Sequence, residues 1–230
     1  MKKKMVGDVP GNVLGMLADL AHKLQHGSIT PEELAMFLKS ENLPEENILT
    51  LIQDWQKFLY EIFNVEADFS EVLIPSAPDE LVWPICVPKG ITTEQAFSRG
   101  KRQFSIRKYT KKSLDDVLDL SSGRDAWQNS YIVCVHPNVE ADEDLKNLSA
   151  NDIAAQKINT ITLKERILLG RFLYWKKEII LDRKISTLCA GSCCSDGSVP
   201  AAGWFDGRFR VGWGYSGLRY GDLRARRAVS

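Results

Sequence analysis

The residues of this chain with reactive potential are five cysteines, three histidines and an Arg- and Tyr-rich C-terminal stretch. Cys189, Cys193 and Cys194 lie close together, and as thiolates they would serve as nucleophiles or redox centres in an environment that lowered their pKa. Adjacent Cys193 and Cys194 are strained partners for each other, and the cysteine count is odd, so reduced thiols are expected. Cys134 falls inside the unbroken apolar run YIVCV and reads as a core thiol rather than a nucleophile. His22 and His26 stand four apart on a helical pattern, a chelating spacing, with His136 the remaining histidine. No carboxylate or cysteine is placed to complete a ligand set, so no metal and no other cofactor is expected. The acidic segment VEADEDLKNLSAND lacks the D-x-D-x-D-G pattern of a calcium loop and reads as a solvated helix start.

The C-terminal stretch has another kind of chemistry. Lys, Glu, Gln and Met are in ordinary use up to Lys184, and none of the four occurs after it. Asp206-Gly207 is a two-residue turn signal, which predicts a β-hairpin across it. Period-2 alternation then puts Ala202, Trp204, Phe209, Val211 and Trp213 on one face. Ala201, Gly203, Phe205, Arg208, Arg210, Gly212 and Gly214 take the other, and Tyr215, Ser216, Gly217 and Tyr220 continue it into a loop. The first set is apolar and predicts a core face. The second combines aromatic, small and Arg residues, the composition of adaptable binding surfaces.

This stretch resembles the C-terminal variable region of proteins diversified by retroelements, which have a C-type lectin-like fold. In that family template adenines are randomised, mostly in AAY codons, and the products cannot encode Lys, Glu, Gln, Met or Trp. The resemblance therefore implies that Trp204 and Trp213 are fixed scaffold, in agreement with their place on the apolar face. The ending DLRARRAVS resembles the invariant end of the variable cassette, and SYIVCV, VEADEDLKNLSANDI, TLKERILL and TLCAGS resemble the middle part of such proteins. It implies a variable region over about 191–222 and a ligand-facing set of Ala201, Gly203, Phe205, Asp206, Gly212, Gly214, Tyr215, Ser216, Gly217, Tyr220 and Gly221. Arg208 and Arg210 share that face but are left out of this set, since Arg also occurs in the invariant end. The sugar-binding motifs of calcium-dependent lectins are missing; only Trp204-Phe205-Asp206 occurs in that neighbourhood.

The elements that must position this surface follow from periodicity. Leu14, Leu17, Ala21 and Leu24 recur at helical spacing, Thr30-Pro31-Glu32-Glu33 is a capping box, and a third helix is expected over about 44–63. Together these predict a helical accessory domain over 1–65. The remainder, 66–230, is expected to be an α+β, C-type lectin-like domain ending in the hairpin. Phe104 to Tyr109 and Tyr131 to Val135 read as strands, and Ser113, Ser149 and Thr162 as helix caps.

Lys and Arg total 30 against 30 Asp and Glu, so bulk charge does not indicate nucleic acid. After Lys184, however, Arg208, Arg210, Arg219, Arg224, Arg226 and Arg227 outnumber Asp196, Asp206 and Asp222, which leaves a local basic face open. The apolar N-terminal residues are interrupted by Asp8, Pro10, Asn12 and Asp19, so no signal peptide and no membrane span is expected, and the cytoplasm is the expected compartment. The expected function is ligand binding, with a protein as ligand and no enzymatic activity. Two alternatives stand beside it: a formylglycine-generating-type oxidase using the C-terminal cysteines, and a single-stranded nucleic-acid binder using Arg, Trp and Tyr.

Overall fold

The computed structural model describes residues 21–30, 48–76, 83–99, 103–121, 124 and 129–230, and the chain divides into two compact units, Met1–Leu43 and Pro44–Ser230. In the first unit residues 21–25 are helical, and the helix ends at Gly27, whose φ of 70° suits a residue without a Cβ. The rest of the first expected helix, residues 31–33 of the Thr30 capping box and the start of the third helix lie outside the described residues.

The second unit begins with α1, Ile48–Phe58, whose buried stripe is Leu51, Ile52, Trp55 and Phe58. It widens into a π-helical turn, Leu59–Phe63, ended by Asn64 in the left-handed region. This helix packs in the larger unit, whereas the sequence places it in an accessory domain ending at 65. The reason is aromatic: the Trp55 ring stacks on Phe172 with centroids 4.1 Å apart, and its Nε1 donates to the Pro84 carbonyl at 2.8 Å. Such a ring and its N–H need partners that a short bundle does not offer.

Chain order continues with β1 (Trp83–Val87), α2 (Thr93–Ser98), β2 (Ile106–Lys108), α3 (Leu114–Val117) and β3 (Tyr131–Val135). After them come a 3₁₀ turn (Glu143–Leu145), α4 (Ala150–Ala155), α5 (Leu163–Lys177), β4 (Ser186–Leu188), β5 (Ser198–Phe205), β6 (Arg208–Tyr215) and β7 (Leu223–Ala225). The class is α+β, with two sheets among the described residues. β1 and β3 pair antiparallel, and a second sheet has the order β2-β6-β5-β4-β7. Within it β2 runs parallel to β6 and β4 parallel to β7, while β5 is antiparallel to both neighbours.

Helix α5 is the axis of this unit, packing against α1, α2, β1 and β5. The Thr162 hydroxyl accepts from Glu165 N and the Glu165 carboxylate accepts from Thr162 N, which completes the expected capping box. Burial takes in most of its circumference, as in a helix enclosed on several sides, and includes the charged Glu165, Arg166 and Arg171 beside Leu163, Ile167, Leu168, Leu169, Phe172 and Leu173. Ser149 caps α4 in the same way through Asp152.

Candidate functional site

The hairpin forms in the expected register. Asp206 and Gly207 occupy the turn with φ of 48° and 69°, and Phe205 faces Arg208. Ala202 pairs with Val211 and Trp204 with Phe209, so directly opposed residues share a face. On one side Ala202, Phe209 and Val211 are buried. Trp204 is half-buried with its ring edge-on to Phe104 at 5.2 Å, and Trp213, also half-buried, stands opposite Pro200.

The other side is a concavity of about 220 Å³. Ala201, Gly203, Gly212 and Gly214 form its floor; Phe205, Tyr215 and Tyr220 line its walls. These rings are exposed, Tyr215 by 82%. The remaining expected residues stand around it. Asp206 is exposed at the turn and pairs with Arg210. Ser216 accepts Asn151 N through its carbonyl at 3.0 Å, Gly217 lies beside the Asn151 amide, and Gly221 opens to solvent.

The glycines differ in the room around them. A Cβ on Gly203 would stand 3.0 Å from the Ile185 carbonyl oxygen and 3.1 Å from the Phe205 ring. On Gly212 it would meet the edge of the Tyr109 ring at 3.4 Å, and on Gly214 the end of the Leu218 side chain at 3.2 Å. Gly203 is therefore buried floor, whereas Gly212 and Gly214 have side chains above them that can move.

Tyr109 was not among the expected residues. It is 54% exposed, covers Gly212 and accepts a hydrogen bond from Arg210 Nη1 at 3.2 Å, while Arg107 lies 5.1 Å over its ring. The Arg210 guanidinium in turn sits 6.0 Å over Phe205. The alternation of residues 104–109 announces a strand; its partner, a hundred residues downstream, is written nowhere in the local pattern.

Beneath the hairpin lies a buried ion triad. Asp182 receives Arg166 Nε at 2.6 Å and Arg226 Nη2 at 2.7 Å, and the Thr187 hydroxyl donates to it. All three charged side chains are at most 1% exposed. Burial by itself would raise the Asp182 carboxyl, but Arg166 and Arg226 hold it below its ordinary value. Its main chain carries the hairpin too, because the Asp182 carbonyl accepts Trp204 N at 2.9 Å.

Three of the C-terminal arginines that left a basic face open are paired with carboxylates, and the acidic segment is not merely solvated. Arg224 pairs with Glu143, Arg227 with Asp144 and Arg219 with Asp152, while Arg227 N donates to the buried Asp142 at 2.7 Å. Arg219, with Ser149, holds the Asp152 carboxyl well below the usual range. These two segments are each other's counterions, which neither composition discloses alone.

All five cysteines are free thiols. Cys189 and Cys194 are buried, and burial raises both; the Cys134 thiol is pushed up to about 11 by the same cause. Among the described residues no group of three or more His, Cys, Asp or Glu is arranged to hold a metal, and no helix is long and apolar enough to cross a membrane. Comparison with family models, curated proteins and solved structures finds no match to this chain.

Proposed function

We propose that this chain is a binding protein with a C-type lectin-like domain, that the concave face of the β5–β6 hairpin is its ligand-facing surface, that a retroelement diversifies this surface, and that the ligand is a protein. The observation that carries the proposal is the unequal support of the two hairpin faces. One is clamped by buried Ala202, Phe209 and Val211 and by the Asp182 triad; the other presents exposed rings over a floor of small residues. Rings on a rigid frame gain contact area at little ordering cost, which suits a protein surface.

The composition supports the diversification part: Lys, Glu, Gln and Met are missing from the whole stretch that contains the face, and the register puts both of its tryptophans in alternation with the residues of the concave side. A cytoplasmic setting fits five unpaired thiols. The oxidase alternative requires reactive thiolates, and the raised Cys189 and Cys194 weigh against it. Nucleic-acid binding by the terminal arginines is weighed down by their pairing with Glu143, Asp144 and Asp152.

Sequencing the DNA around the gene tests this directly. A near-copy of the last hundred or so bases, differing only where it holds adenines and accompanied by a reverse transcriptase gene, is the expected result. A locus with neither removes the retroelement from the proposal.

A further inference from the structure

The concave face ends at a strand edge that is only partly paired. The Phe209 N–H donates to the Ser105 carbonyl and the Tyr109 N–H to the Val211 carbonyl, while the Pro200 carbonyl, opposite Trp213, is taken by Cys189 N on the far side of β5. The odd-numbered residues of β6 therefore turn their main-chain groups away from β5, toward β2. β2 stops at Lys108, and the chain turns off through Thr110, whose hydroxyl accepts Lys112 N at 3.1 Å.

The next rungs are left unmade. By this alternation Trp213 N–H, Trp213 C=O and Tyr215 N–H point along this edge, past the end of β2. Trp213 also borders the concavity. An open edge of this kind is a template for an added strand.

Charge narrows the occupant. Arg107, which lies over the Tyr109 ring, and Lys111 and Lys112, which follow the turn at Thr110, are exposed cations at the end of β2 and make no ion pair with a carboxylate among the described residues. We propose that the β6 edge from Trp213 to Tyr215 takes an acidic, extended segment of the partner protein as an added strand, continuing the line that β2 leaves at Tyr109. This rests on the hairpin face being the ligand surface, and it names the chemistry of what that face meets. Nucleic acid also suits cations beside rings, but it cannot complete a main-chain ladder.

The test uses the full chain and a phage library of random 12-residue peptides as probe. Enriched peptides should be acidic, and N-methylation at alternate positions should abolish their binding. Tyr215→Pro removes the ring and the edge N–H, whereas Tyr215→Ala removes only the ring. Neither should alter the melting temperature much, because the Tyr215 N–H makes no bond to β5. Tyr215→Pro should bind the selected peptides about five- to tenfold more weakly than Tyr215→Ala, the effect of one main-chain hydrogen bond.

Equal binding by the two variants, insensitivity to N-methylation, or failure of the library to enrich any peptide overturns the inference. So does stronger, salt-dependent competition by a 20-residue oligothymidylate, or a dimer of the chain that Tyr215→Pro dissolves. A parallel library with Phe205, Gly212, Gly214, Tyr215 and Tyr220 randomised, selected on hen lysozyme, separates the two levels. Recovery of lysozyme binders keeps the binding surface while the strand is lost; recovery of none in both experiments removes both.

Discussion

At the scale of single residues, the floor of the concavity divides by what stands above each glycine. Gly212 and Gly214 face a ring edge and a leucine tip, whereas Gly203 faces a main-chain carbonyl that cannot step aside. Gly212→Ser and Gly214→Ser should each change stability by less than about 1 kcal/mol, while Gly203→Ser should cost about 1–3 kcal/mol by overpacking. Urea unfolding of the three variants checks this, and an undiminished Gly203→Ser would mean that the Ile185 carbonyl yields to a side chain there. The alternation that assigned all three to one face was legible in the sequence. The carbonyl of Ile185 was not, because it arrives from the neighbouring β4 side.

At the scale of elements, the hairpin was the most legible part of the chain. A turn that needs two positive φ values selects Asp-Gly locally, and the alternation on either side then sets the register with no help from distant residues. Gly207→Ala should accordingly lose about 1 kcal/mol, a drop of roughly 2–4 °C in melting temperature for a unit of this size. Asp206→Asn, which keeps a residue tolerant of that conformation, should lose little. A Gly207→Ala variant melting with the parent would mean the turn adopts another geometry in solution. Helix α1 shows the opposite case. Its stripe was readable, but its owner was not: a stripe states that a face will be buried and not against which neighbour, and the Phe172 ring decided that.

At the scale of the whole molecule, the last residues hold the larger unit together. Arg226 enters the triad and also donates to the Asn138 and Val139 carbonyls, and Val229 exchanges two main-chain hydrogen bonds with Cys134. Deleting residues 226–230 leaves Asp182 buried with one partner fewer, a loss of about 3–5 kcal/mol before the other bonds are considered. Against a total of about 5–15 kcal/mol, the expected outcome is loss of the cooperative thermal transition, followed by calorimetry. The Asp182 carboxyl has a further consequence. Its folded value is depressed, so its contribution is complete above the unfolded value of about 3.9 and is lost as pH falls through the lower folded value. The urea midpoint should therefore fall steadily as pH drops below about 4, and a midpoint that stays flat there would mean the triad does not exist as a charged group.

What the amino-acid sequence determined by itself was local: the Asp206-Gly207 turn, the two faces of β5 and β6, the caps at Ser149 and Thr162, and the abrupt change of composition after Lys184. Each depends on interactions between residues a few positions apart, so the pattern carries the answer. Tertiary structure decided the rest: the place of α1, the packing of Tyr109 over Gly212 beside the concavity, and the pairing of the terminal arginines with residues 143–152. Those outcomes depend on which distant segments meet. An arginine run looks the same in sequence whether it faces solvent, a ligand or an acidic segment eighty residues away, and only the folded chain distinguishes the three.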